Sequence, residues 1–503
     1  MKFLKVLCVL AVALCLTASV YAETQSVKVS GDLTVRSIFR SAYNYQGAPD
    51  EDPGATGTMG NIDSPDQSWV MQSAAIQVDA DLTDNVQTVI RILNERDWDV
   101  FQRNVNATTN PVPNARGGYV QNADEFDVKL DLAYVALKDF IYSPLTVTIG
   151  RQDLWFGKGF VVGSNFFANN NSLANNSSVQ GNLNDTYNLS APEYTEMTSF
   201  DSVKAVLDYD PWTISGVYAK IYEDAVQAND DVDLWGVNVG YKFDSYKAEA
   251  EGYWFWKKDN SAAEISPIKH GNDVHTIGLR GSFDPIDVVT INAEGAYQGG
   301  QYIGSRGQLN SRNRSAWALD VGGEWRYLAE KFSWKPKLGA EYVYYSGNKP
   351  ESNPANATGE YTGWDPMYRG KFDSAIREFV GTYYTTSRYP NRADQGTSSD
   401  DASFTNQHQV IFSGSLQPID SLTLKANYNL FWNQEAYLAN GVAVDSAKTQ
   451  GFIGQEVDFQ ANWDYTEDVS FGLLAGWFMP GEVYFDNRND IATDVVGTVK
   501  VSF

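Results

Sequence analysis

Fixed charges on alternate positions are the side chains in this sequence that have chemistry to offer. In 453–465, Glu456, Asp458, Gln460, Asn462 and Asp464 alternate with Val457, Phe459, Ala461, Trp463 and Tyr465. In 202–209, Ser202, Lys204 and Asp208 oppose Val203, Ala205, Leu207 and Tyr209. The same phase puts Arg36, Arg91 and Arg280 on the polar faces of their segments, together with Glu95 and Glu249. Carried along the chain, it yields bases, Lys220 among them, and acids in nearly equal number. Burying so many charges in a dry core is prohibitively costly; lining water, they are ordinary. Opposed charges across an aqueous passage orient polar solutes without trapping them, so the chemistry indicated is selective passage rather than bond making.

Signatures of catalysis and cofactor binding are weak. Gly157-Lys158-Gly159-Phe160-Val161-Val162-Gly163 superficially resembles a dinucleotide loop, but its spacing is off by one and no helix-forming segment follows. His270, His275 and His408 lack metal-ligand spacing. No Gly-x-Ser-x-Gly elbow occurs. The acidic stretch Asp230-Asp231-Val232-Asp233 has the oxygens a calcium ion wants, yet solvated loop charge accounts for it. The expectation is a protein without catalytic residue, metal or cofactor.

The elements that must position these charges are β-strands. Eighteen alternating segments can be marked, from 26–40 to 490–503, most about ten or more residues long, as a tilted strand needs to cross a bilayer. Their connections alternate between short turns, such as Asp81-Leu82-Thr83-Asp84-Asn85 and Asp208-Tyr209-Asp210-Pro211, and long polar loops such as 41–67, 97–125, 153–199 and 347–401. Sorting by parity predicts a transmembrane antiparallel β-barrel of about 18 strands, with 16 the alternative, short periplasmic turns and long extracellular loops. Tyr209, Trp212, Phe243 and Trp463 fall near short turns, while Trp254, Trp256, Trp432 and Trp477 fall near long loops, as two interfacial girdles would. The last strand, ending on Phe503, must pair with the first to close the barrel. It also resembles the C-terminal signature of outer-membrane proteins, which implies the outer-membrane assembly machinery as a partner.

The compartment follows from the start of the chain. Lys2 and Lys5 precede an apolar run, Val6 to Leu16, and small residues lead to Val20-Tyr21-Ala22. This predicts a signal peptide over 1–22 and a barrel over 23–503. Cys8 and Cys15 both lie in the apolar run, so the mature chain has no thiol chemistry. Beyond it no apolar run approaches helix-spanning length, so a membrane must be crossed by strands. Removing Lys2 and Lys5 from the 38 bases leaves 36 against 63 acids, a charge of −27 that excludes nucleic acid as a partner. The partners expected are outer-membrane lipid with lipopolysaccharide, and small hydrophilic solutes or an anionic oligosaccharide.

Two segments resemble the alginate export family of bacterial outer-membrane barrels. The first is Ile149-Gly150-Arg151-Gln152 with Gly157 and, after the long loop, Phe200-Asp201-Ser202-Val203. The second is Gly454-Gln455-Glu456-Val457-Asp458, then Trp463, Gly472, Gly476 and Phe478-Met479-Pro480-Gly481. The resemblance implies an eighteen-stranded channel for hydrophilic solutes or, in some members, an anionic polysaccharide. It also implies that Arg151, Glu456 and Asp458 belong to the family's recurring pattern. The insertion between Gly163 and Thr198 is Asn-rich, and the inward face lacks the excess of Arg and Lys that a polyanion path needs.

The sequence therefore predicts an outer-membrane porin, a passive channel for small hydrophilic solutes or ions. Arg36, Arg91, Arg151, Lys204 and Arg280 form the cation side of its lining and face Glu95, Glu249, Glu456 and Asp458. Export of an anionic polysaccharide is the alternative within transport, and a surface adhesin without a pore the alternative of another class. Loops 153–199 and 347–401 are long enough either to fold inward and set a constriction or to stay outside the passage.

Overall fold

The computed structural model describes residues 25–42, 66–98, 102–103, 119–120, 128–165, 191–223, 231–244, 247–260, 272–302, 311–348, 359–378, 404–435, 451–482 and 490–503. The expected signal peptide, His270 and most of the Asn-rich insertion lie outside these residues.

Eighteen strands form one antiparallel sheet. They are β1 (Ser26–Ser41), β2 (Asp66–Thr83), β3 (Val86–Asp97), β4 (Lys129–Leu137), β5 (Leu145–Gln152), β6 (Phe200–Tyr209), β7 (Trp212–Tyr222), β8 (Val232–Phe243) and β9 (Ala248–Asp259). The second half comprises β10 (Asn272–Ile286), β11 (Val289–Tyr302), β12 (Arg312–Trp325), β13 (Lys337–Tyr345), β14 (Gln407–Ile419), β15 (Leu422–Asn433), β16 (Phe452–Asp464), β17 (Val469–Pro480) and β18 (Ala492–Ser502). Each pairs with its sequence neighbours, and β18 closes on β1 with Asp32 opposite Ser502 and Ser41 opposite Thr493. Gly31 and Phe503 exchange backbone hydrogen bonds of 2.9 and 3.0 Å. A Cβ at Gly31 would meet the Phe503 ring and the Ala75 carbonyl at 2.7 Å, so the seam packs too closely there for a side chain.

Alternation sorts the two faces as expected. On β1, Thr34, Ile38 and Arg40 are buried while Val27, Val29, Leu33 and Phe39 are exposed. An outward apolar face that no other described element covers is what a lipid-facing barrel requires. Tyr209, Trp212, Phe243, Phe283 and Trp463 are exposed near the short turns, and Trp254 and Trp477 near the long connections. One short connection is longer than the others: the strand Arg312–Trp325 stops at Trp325, and Tyr327–Glu330 form a 3-10 turn before Lys337 opens the next strand. Arg326 stands at this turn, where its guanidinium binds Asp284 at 3.1 Å and Glu324 at 3.3 Å.

The described parts of two long connections pack against the inner face. Leu154, Phe160, Val161 and Val162 from the β5–β6 connection, and Trp364, Met367, Tyr368 and Phe404 from the β13–β14 connection, are buried with inward residues of β6 to β14 in one apolar cluster. The dry core of this barrel thus lies inside the ring, between wall and loops.

Candidate channel interior

The two inner connections meet backbone to backbone. Val162 and Tyr368 form a parallel bridge, Tyr368 N–H donates to the Val161 carbonyl at 2.9 Å, and Gly163 N–H donates to the Tyr368 carbonyl at 2.7 Å. Gly370 N–H reaches the Gly159 carbonyl at 2.9 Å. A Cβ at Gly163 would sit 3.0 Å from Gly370 Cα, so the crossing is built on paired glycines under the Trp155 ring. Gly157 and Gly159 adopt φ of 54° and 74°, so the stretch that superficially resembled a nucleotide loop is a left-handed turn feeding this crossing.

Ion pairs tie the connections to the wall. Arg91 on β3 binds Asp131, Asp32 at 3.1 Å and the loop residue Glu196 at 2.6 Å. Arg280 on β10 binds Glu251 and, at 2.5 Å, Glu249, both on β9. Lys371, from the β13–β14 connection, binds Glu341, Asp320 at 2.9 Å and Asp373 at 3.3 Å. Each of these bases meets two or three carboxylates, so no cluster carries net positive charge.

A second set of contacts docks 191–199 across the closing seam. Arg40 binds Glu193 and reaches Asp494 of β18 at 3.4 Å. Tyr194 donates to the same Asp494 at 3.3 Å, and the Arg36 guanidinium lies 5.5 Å from the Tyr194 ring centroid. Burial pushes the Glu193 carboxyl up from its ordinary range, while Arg40 opposes the shift. Deeper in the other connection, burial disfavours ionisation of Asp365, but Lys257 at 2.6 Å and Arg314 hold its carboxyl below the usual value.

The residues expected to line the passage divide into three groups. Arg36, Arg91, Lys204 and Arg280 all point inward; Lys204 lies over the Phe156 ring at 5.4 Å, and Glu249 and Glu251 keep partial exposure beside Arg280. Glu95, Glu456 and Asp458 also point inward but hold loops instead of facing bases. Glu95 accepts from Thr195 Oγ1 at 2.6 Å and from Glu196 N–H at 2.8 Å. Glu456 accepts from Ile376 and Arg377 N–H at 2.7 and 2.8 Å, and Asp458 from Ala375 N–H at 3.3 Å. The two carboxylates are buried under the turn whose backbone they bind.

Arg151 requires a correction. It stands in register with Ala133 and Asp201 and shares its face with exposed Ile149 and Val203, so it points outward, where it binds Asp201 at 3.3 Å. Lys220 is outward too, because Val217 and Ala219 take the inward positions of β7. The loop residues Glu193, Glu196, Arg369 and Lys371 escape a reading based on strand phase, since loops have no period to read.

His275 and His408 also point outward. His275 stacks on Trp254 and Trp256, and His408 packs on Tyr342 and Tyr344, placing both rings in the aromatic rim.

A closed antiparallel ring of eighteen strands, apolar outside and charged within, is the barrel of outer-membrane porins. A family model described as alginate export matches residues 54–498; the chain belongs to that family, and its place is the bacterial outer membrane. Among solved structures the fold is similar to OccAB1 of Acinetobacter baumannii, with a TM-score of 0.51 and 12% identity over 97% of this chain and 99% of that one. It is also similar to OccAB4 of the same organism, with a TM-score of 0.50 and 9% identity over 96% of this chain and 100% of that one. Comparison with curated protein sequences finds no match.

Proposed function

We propose that the protein is a passive channel for small hydrophilic solutes and ions, with a preference for cations. The observation that carries this is the saturation of three inner bases: Arg91 meets three carboxylates, Arg280 two and Lys371 three. A path for a polyanion needs bases whose fields reach the cargo, and these are spent on neighbouring acids.

In this reading Arg36, Arg91, Lys204 and Arg280 line the passage with Glu249 and Glu251. Glu95, Glu456 and Asp458 fix the loops that narrow it. No residue is assigned a catalytic role. Planar-bilayer recording of the purified protein tests the proposal, since a channel of this kind gives steady conductance that anionic oligosaccharide does not block. Block by such an oligosaccharide, lost on neutralising Arg36 and Lys204, would instead favour the polysaccharide export that the family description names.

A further inference from the structure

An ordered row of charges crosses the outer face of six strands. In register from β5 to β10 stand Arg151, Asp201, Lys220, Asp233, Lys258 and Asp273, so the signs alternate strand by strand. All six occupy outward positions, because their neighbours Gln152, Phe200, Ala219, Leu234 and Val274 are buried inside and Lys257, beside Lys258, reaches the inner loop residue Asp365 at 2.6 Å. Lys220 also binds Glu223 at 2.6 Å and Asp231 at 2.9 Å. The row then continues without charge, as Gln301 on β11 and Asn313 on β12.

One outward step toward the short turns lies a second row: Ile149, Val203, Tyr218, Trp235, Trp256 and His275. The two rows are joined, since Tyr218 donates to Asp233 at 3.0 Å and Trp256 to Asp273 at 3.4 Å. Two residues of strand span about 7 Å. An aromatic row marks the edge of the hydrocarbon, so the charged row sits about that far beyond it, at the depth of lipid headgroups. Charges on a lipid-facing strand are costly near the midplane and tolerated only at this level.

We propose that this row is a lateral docking site for the phosphorylated headgroups of outer-leaflet lipid. Asp201 is 66% exposed and Glu223 57%, leaving carboxylate oxygens open to solvent. Lys220, bound to Glu223, Asp231 and Asp233, holds the acids together; the acids take divalent cations that neighbouring phosphates share, and Lys258 takes phosphate oxygens directly. The complementarity is to a layer that carries both phosphate and divalent cation. A phosphate-only ligand would meet Asp201, Asp231, Asp233 and Asp273 as repulsion.

The test is native mass spectrometry of the full-length protein with lipid A and magnesium, run in parallel with dephosphorylated lipid A. The expected result is retention of lipid A roughly tenfold stronger than of the dephosphorylated form, weakened to a similar degree by chelating magnesium or by K220Q/K258Q. Single-channel conductance of K220Q/K258Q stays that of the wild type, which separates this site from the channel reading. Equal retention of the two lipids by wild-type protein overturns the proposal, whether or not the variant folds. So does a protein that excludes lipid A here because a second copy of the chain covers the row, seen as a dimer or trimer that K220Q/K258Q dissociates.

Discussion

Gly163 and Gly370 touch where the two inner connections cross. A Cβ on Gly370 would lie 2.8 Å from Gly163 backbone atoms and 2.7 Å from the Trp155 ring. Neither glycine has a φ in the left-handed region, so space alone, not backbone conformation, dictates the residue type.

Gly370→Val should therefore part the loops without disturbing the barrel. Overpacking of this kind costs about 1–3 kcal/mol locally. The outcome expected is a larger and noisier single-channel conductance, with the unfolding midpoint of the barrel in urea nearly unchanged.

Glu456→Ala removes the acceptor that Ile376 and Arg377 N–H share. Each buried donor left without a partner costs about 1–3 kcal/mol. The turn at 375–378 should lift from β16, read as faster amide hydrogen exchange in 373–378 and as flicker in the current. Glu456→Gln keeps an acceptor oxygen and should be milder.

Glu249→Gln with Glu251→Gln releases Arg280 from both its carboxylates. The reversal potential in a salt gradient should move toward the anion side. Arg280→Gln should move it the other way, because two partly exposed carboxylates then face the lumen alone.

Docking of the 373–378 turn should depend on pH. Burial, with Asp373 nearby, pushes the Glu378 carboxyl from its ordinary 4.5 up to about 8. A raised acid pKa in the docked loop means that it holds a proton which the released loop gives up. Docking is therefore fully stabilised below about pH 4.5, weakens as pH rises toward 8, and is level beyond. Hydrogen exchange of this segment across that range checks it, and Glu378→Gln should flatten the profile.

The ring was legible in the sequence because a strand with lipid outside and water inside writes a period of two into every segment. Strand β6 (Phe200–Tyr209) falls where Val203, Ala205 and Leu207 alternate with Ser202 and Lys204. The phase also put Glu456 and Asp458 inward, but not what they bind, since Ile376 is 80 residues away in a loop without period. Arg151 was placed by the family resemblance and not by phase; exposed Ile149, two residues before it, carries the phase that sets it outside. Lys220 was misread because charges near a strand's long-loop end satisfy either face, water inside or headgroups outside.

The reversal potential of single channels in a planar bilayer, under a potassium chloride gradient and then with anionic oligosaccharide added, tests the central claim most directly. Arg91, Arg280 and Lys371, each bound to two or three acids, predict a steady conductance that favours potassium and is not blocked by the oligosaccharide. A reversal potential on the chloride side together with oligosaccharide block would contradict that account and show bases free enough to guide a polyanion.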